Sequence, residues 1–159
     1  MPKTLCSEFL DYYAKHLCEN TQWFPGMESV LNDLIRQQFP WGIVTNKAKI
    51  FTEKLVDHFS LLRQAHCVVS GDSVAHCKPH PEPLLYASWS LHCQPEHCVY
   101  VGDARRDIEA AQAAGMTSLV ALYGYLPEQD PVGTWNASGL LDTPQALVTW
   151  LKQNQWLST

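Results

Sequence analysis

A chain of 159 residues, 46% apolar and 17% charged, has the size and composition of one globular domain and not of a disordered segment. Its 11 basic and 16 acidic residues leave a net charge of −5, which disfavours a nucleic-acid partner, since phosphate coating needs a basic face. No apolar run approaches the roughly 18 residues of a membrane span, and the N-terminus lacks a signal-peptide core, so a cytoplasmic location is the expectation.

Leu5, Phe9, Tyr12, Tyr13, His16 and Leu17 recur at helical spacing and predict a helix over 4–19. Trp23-Phe24-Pro25-Gly26 breaks it, and Val30, Leu31, Leu34 and Ile35 form one face of a second helix. Trp41-Gly42-Ile43-Val44-Thr45 reads as a short strand stopped by Asn46, followed by a helix over 50–59. Cys67-Val68-Val69-Ser70 is a second strand, and Gly71-Asp72 is a turn. Pro81 and Pro83 fit the first turn of a helix continuing over 84–91. A strand over 98–101 delivers Asp103, a helix over 108–114 ends at Gly115, and a strand over 117–122 follows. A closing helix spans 147–151, and Trp41, Trp135, Trp150 and Trp156 read as packing residues. Strands alternating with helices predict an α/β fold, a doubly wound, Rossmann-like parallel sheet with right-handed crossovers.

Of the six cysteines, Cys67, Cys77, Cys93 and Cys98 each follow a histidine, but no Cys-x-x-Cys pair occurs. The thiols are therefore read as reduced and, where they open apolar runs, as small hydrophobes; a structural zinc is the weaker alternative.

Three chemical signals fall at three successive strand ends. Thr45-Asn46 offers a hydroxyl and backbone N–H groups suited to phosphate oxygens. Lys78, on the loop after the next strand, offers a mobile ammonium as a point charge. Asp103 and Asp107 offer oxygen ligands for a hard cation such as Mg²⁺. Each has a plainer reading alone: a satisfied strand-end hydroxyl, a solvated loop charge, an acidic pair at a helix N-terminus. Together, outside the carboxyl ends of parallel strands, they make a phosphate-clamping set.

Val44-Thr45-Asn46-Lys47, Lys78-Pro79-His80-Pro81-Glu82-Pro83 and Val101-Gly102-Asp103-Ala104-Arg105-Arg106-Asp107 resemble, in order and spacing, motifs two, three and four of the haloacid dehalogenase-like phosphatases. Phe24-Pro25-Gly26-Met27 resembles the re-entry from that family's helical cap into its core, and Leu122-Tyr123-Gly124-Tyr125 resembles a turn of its phosphoglycolate phosphatase-like subgroup. The resemblance covers residues 22–150. It implies that Thr45 and the Asn46 backbone bind the transferring phosphoryl group, that Lys78 neutralises charge during catalysis, that Asp103 ligates Mg²⁺, and that Asp107 supports the metal directly, through water or through Lys78. Arg105 and Arg106 match no required role and are read as surface or rim residues. His80 is read as a loop residue, not a base.

One departure matters. The family's first motif, Asp-x-Asp-x-Thr, supplies the nucleophile and the acid–base, and no Asp-x-Asp occurs in this sequence; only Asp11 and Asp33 precede Thr45. The sequence is read as beginning inside the cap, with residues 1–22 a cap remnant and 23–159 a core lacking its central first strand. Two strands would then face a gap, at a loss of about ten backbone hydrogen bonds worth ~0.5–1.5 kcal/mol each. Such a loss compares with a whole domain's stability of about 5–15 kcal/mol, so the isolated monomer is expected to be marginal. A complementing segment, a homo-oligomer with a swapped strand, or local collapse is expected to fill the gap. The resemblance implies a Mg²⁺-dependent phosphatase of small phosphorylated metabolites, phosphoglycolate or a sugar phosphate, inactive as this chain. The alternatives are a non-catalytic phosphate- or protein-binding module and, more weakly, a mutase or dehalogenase of the same superfamily.

Overall fold

The computed structural model describes residues 5–157; Thr4, at which the sequence pattern starts the first helix, lies outside them. In chain order the elements are α1 (Leu5–His16), α2 (Met27–Arg36), β1 (Gly42–Val44), α3 (Lys49–His58), β2 (Cys67–Val69), α4 (Glu82–Ser90), β3 (Val99–Gly102), α5 (Arg105–Ala113), β4 (Thr117–Ala121), β5 (Gly139–Leu141) and α6 (Gln145–Gln153). The predicted alternation holds. Strand β5 is an addition, because Gly139-Leu140-Leu141 is too short to show a period. Gly115 ends α5 at φ 77°, a conformation that L side chains rarely adopt.

All strand pairs are parallel, but the sheet is in two pieces: β1 pairs with β2, and β3–β4–β5 form a second sheet. The break lies between β1 and β3, where the sequence reading places the gap. Among the described residues no ladder crosses it. Apolar packing crosses it on both faces instead. On one face Leu84 of α4 packs with Ala110, Ala111 and Ala114 at and beyond α5, against Val44 of β1 and Tyr100 of β3. On the other, Val30 and Leu34 of α2 pack with Leu151 of α6, against Trp41 and Val99. Each fully buried aliphatic side chain contributes about 1.5–3 kcal/mol, so these two clusters hold the halves in register without strand pairing. A third cluster, Ile108, Val120 and Trp135, seats α5 on the second sheet.

Helix α1 rests on α3. Tyr13 meets the Phe51 ring edge-on at a centroid distance of 5.2 Å and lies under the Lys47 ammonium at 4.9 Å, while Lys54 Nζ donates to the Ala14 carbonyl at 3.1 Å. No helix among the described residues is long and apolar enough to cross a membrane.

Candidate phosphate and metal site

Lys78 is the centre of the site. The mobile ammonium read from the sequence is corrected here: the Lys78 side chain is 7% exposed, and its Nζ lies 2.7 Å from Asp107 Oδ1, whose own side chain is 8% exposed. Nζ also donates to the Val44 carbonyl at 3.0 Å and to the Tyr100 hydroxyl at 2.8 Å. A buried lysine is tolerable only with such pairing, because an unpaired charge away from water is costly. Asn46 fixes the backbone beneath it. Its carboxamide accepts from Lys78 N–H at 3.0 Å and donates to the Lys78 carbonyl at 2.9 Å. The sequence pointed to the Asn46 backbone; the side chain is the clamp.

Thr45 follows β1 directly, its N–H donating to the Val69 carbonyl at 2.9 Å. Its Oγ1 accepts from Lys47 N–H at 3.1 Å, which leaves the hydroxyl proton free to donate. Thr45 is thereby set beside the Val44 carbonyl that Lys78 contacts. A cavity of about 120 Å³ reaches Thr45 from the α3 side, but Ile43, Leu55, Val56 and Leu62 line most of it, so it is not an anion pocket.

Asp107 does two things. Its Oδ2 accepts from Ala104 N–H at 3.1 Å, satisfying a donor at the start of α5, and its Oδ1 faces Lys78. The contact with Lys78 is ionic, and Oδ1 makes no directed hydrogen bond among the described residues. Asp103 accepts from Tyr125 N–H at 2.9 Å through Oδ2; its Oδ1 takes no hydrogen bond among the described residues. Two glycines make room. A Cβ on Gly102 would fall 2.3 Å from Asp107 Cβ, and one on Gly124 would fall 2.4 Å from Asp103 Cβ. A Mg²⁺ ion fits this donor set: Asp103 Oδ1 takes no hydrogen bond among the described residues, Asp107 Oδ1 is buried without a directed hydrogen bond, and both are hard ligands.

The acidic pair acts on its neighbours. Tyr100 is held well above the usual phenol range, first by burial and then by the Asp107 and Asp103 charges. Tyr123 is raised by burial and by the Asp103 charge. Both phenols therefore stay protonated, and Tyr100 can donate. The sequence reading gives Tyr100 no role, and Gly102 and Gly124 stand in its motifs without one. The available signal was a hydroxyl in an otherwise apolar strand, immediately before Val101-Gly102-Asp103.

Arg105, read as a rim residue, grips Asp130 through Nε at 3.0 and 2.9 Å and pins the loop beyond β4; Arg106 is exposed. Asp72, read as a turn residue, accepts from Lys49 N–H at 2.8 Å and so satisfies a donor at the start of α3 from the loop after the neighbouring strand β2. The five described cysteines are all free, as the reading of reduced thiols requires.

This arrangement, with a lysine buried against a strand-end carboxylate and a threonine on the adjacent strand end, has relatives. The haloacid dehalogenase-like hydrolase family profile matches residues 2–121, and the chain belongs to that family. A phosphoglycolate phosphatase of Xylella fastidiosa is 39% identical over 155 residues, covering 98% of this chain and 66% of the relative. An N-acetylmuramic acid 6-phosphate phosphatase of Pseudomonas putida is 34% identical over 140 residues, covering 88% of this chain and 63% of the relative. A crystal structure of a Haemophilus somnus protein, described as a predicted phosphoglycolate phosphatase, superposes with a TM-score of 0.85 at 26% identity, covering 91% of this chain and 64% of that one. The chain thus spans just under two thirds of the length of these relatives.

Proposed function

We propose that this chain carries the phosphate-clamping and metal-holding part of a Mg²⁺-dependent phosphatase of small phosphorylated metabolites, phosphoglycolate or a sugar phosphate. The observation that supports it most is the buried Lys78–Asp107 pair, tied through Asn46 and Val44 to the Thr45 strand end. Thr45 donates its hydroxyl proton to a phosphoryl oxygen, and the Asn46 backbone N–H adds a further donor. Lys78 offsets anionic charge; its three fixed contacts mean that it needs no reorganisation when the substrate arrives. Asp103 and Asp107 would hold Mg²⁺, which when bound supplies electrostatic stabilisation of phosphoryl oxygens. Residues up to 22 serve as a helical cap segment and 23–159 as the phosphatase core, and the protein works in the cytoplasm.

Turnover by aspartyl transfer needs a carboxylate nucleophile that these 159 residues do not contain in the family's pattern, so the chain alone binds without hydrolysing. The test is an assay with phosphoglycolate and with p-nitrophenyl phosphate, with and without Mg²⁺, alone and after co-expression with a segment carrying Asp-x-Asp-x-Thr. The expected result is background turnover alone and Mg²⁺-dependent turnover after complementation, lost in Asp103→Ala. Mg²⁺-dependent turnover by the chain alone would overturn the inactivity. The missing nucleophile also favours a second reading, a binding module. That reading predicts Mg²⁺-dependent phosphate binding with no turnover even after complementation.

A further inference from the structure

The geometry points to a second metal site: His76, His80 and Glu82 form a surface site for a borderline divalent transition ion, with Zn²⁺ the type case. Each of the three offers one ligand atom, and these atoms all lie within 4.8 Å of one another. The site is separate in place and in chemistry from Asp103 and Asp107. It does not rest on the phosphatase reading.

The backbone explains why the three side chains meet. Lys78 lies between the histidines and turns inward, its ammonium buried on Asp107 and its N–H and carbonyl both held by Asn46. With the middle of the segment anchored inside, His76 and His80 emerge on the same outer surface. Their rings stack at a centroid distance of 4.2 Å and an interplanar angle of 23°. Pro79 and Pro81 flank His80 and restrict φ on both sides, so the loop is ordered before any ion binds. Glu82, at the start of α4, closes the group. Its Oε2 lies 2.6 Å from His76 Nδ1 and accepts from His76 N–H at 3.0 Å, and its own N–H donates to His80 Nδ1 at 3.2 Å.

The donor set selects the ion. Two imidazoles and one carboxylate suit Zn²⁺, Ni²⁺, Co²⁺ or Cu²⁺, whereas Mg²⁺ prefers oxygen alone. A hydrogen bond from His76 holds the Glu82 carboxyl below the usual carboxylate range, so it is anionic at neutral pH. A tetrahedral ion with bonds of about 2.0–2.1 Å needs ligand atoms roughly 3.3 Å apart, a contraction that rotation of two exposed imidazoles supplies. Three protein ligands leave the fourth position to water. Cys77 is not part of the set, because its Sγ turns back to the Gly71 carbonyl at 3.2 Å.

The test is titration calorimetry of the whole chain with ZnCl₂ in excess Mg²⁺. The expected result is one micromolar site, weakened about tenfold or more in His76→Ala, His80→Ala and Glu82→Gln, and unchanged in Cys77→Ser and His92→Ala. Absence of binding to the wild type, or equal binding by the His76→Ala/His80→Ala double variant, overturns the proposal. Should a variant fail to fold by circular dichroism, ¹H–¹⁵N imidazole spectra of the wild type decide. Zn²⁺-induced shifts of both His76 and His80 support the site, and shifts confined to other histidines overturn it.

Discussion

The Tyr100 hydroxyl donates to the Val44 carbonyl, 3.2 Å away, across the break between β3 and β1. In a continuous parallel sheet, carbonyls on this edge of β1 would be paired by a neighbouring strand. Here a side chain reaches over and does it, while Lys78 donates to the same oxygen and to the phenol. Tyr100→Phe is expected to lower stability by about 0.5–1.5 kcal/mol in urea unfolding, since Val44 keeps its lysine donor and the ring still packs.

Lys78→Met removes the countercharge that a buried carboxylate faces. The expected cost is about 3–5 kcal/mol, several times that of Tyr100→Phe, because Asp107 is left buried and uncompensated. Asp107→Asn in the Lys78→Met background should recover part of the loss, and a double-mutant cycle measured by denaturant unfolding reads the coupling.

Gly124→Ala places a methyl group where Asp103 stands, with a Cβ only 2.4 Å from Asp103 Cβ. The loop can shift, so the fold is expected to persist, but the Asp103 carboxylate cannot stay where it is. Mg²⁺ affinity measured by calorimetry should fall about tenfold or more, while far-ultraviolet circular dichroism is unchanged. Gly102→Ala should act likewise through Asp107, with a stability loss added because Asp107 also caps α5.

The Asp130 carboxyl is held below its ordinary value of 3.8, chiefly by the hydrogen bond from Arg105. A carboxyl whose folded-state pKa is depressed stabilises the fold above its unfolded pKa and loses that contribution as pH falls through the folded value. Asp130→Asn should therefore flatten the acid limb of stability below about pH 4 and leave the change between pH 6 and pH 8 small. Thermal unfolding scanned from pH 2 to pH 8 checks this.

Burial, then the neighbouring Cys93 thiol, pushes the Cys98 thiol up to about 12, and burial raises Cys67. Neither forms appreciable thiolate at pH 8, whereas Cys77 is exposed. Iodoacetamide at pH 8 should modify Cys77 before Cys67 and Cys98, and reach Cys98 only after denaturant is added. Peptide mass mapping over time gives the order.

Much of this was legible in the chain as written. Of Val30, Leu31, Leu34 and Ile35, read as one helical face, the first three are the buried residues of α2, and the runs read at 41–45, 67–70 and 98–101 hold the strands Gly42–Val44, Cys67–Val69 and Val99–Gly102 to within one residue at each end. Thr45, Asn46 and Asp103 directly follow strand ends, so strand direction places them, whereas Lys78 on its loop and Asp107 in α5 are positioned by tertiary contacts. What they touch was not legible. Nothing local says that the Asn46 side chain would hold both polar groups of Lys78, or that Lys78 would be buried. Those contacts span 32 residues along the chain. The Tyr100 bridge to Val44 spans 56.

By itself the sequence determined the kinds of element, their parallel alternation and the chemistry carried to each strand end, because periodicity and turn residues act over a few neighbouring positions. The tertiary structure alone decided that Lys78 is a fixed, buried partner of Asp107, that Gly102 and Gly124 cradle the acidic pair, and that a tyrosine and a lysine close the broken sheet at Val44. Those outcomes depend on how crossover helices bring distant segments together, and on the requirement that every buried polar group find a partner once water is gone.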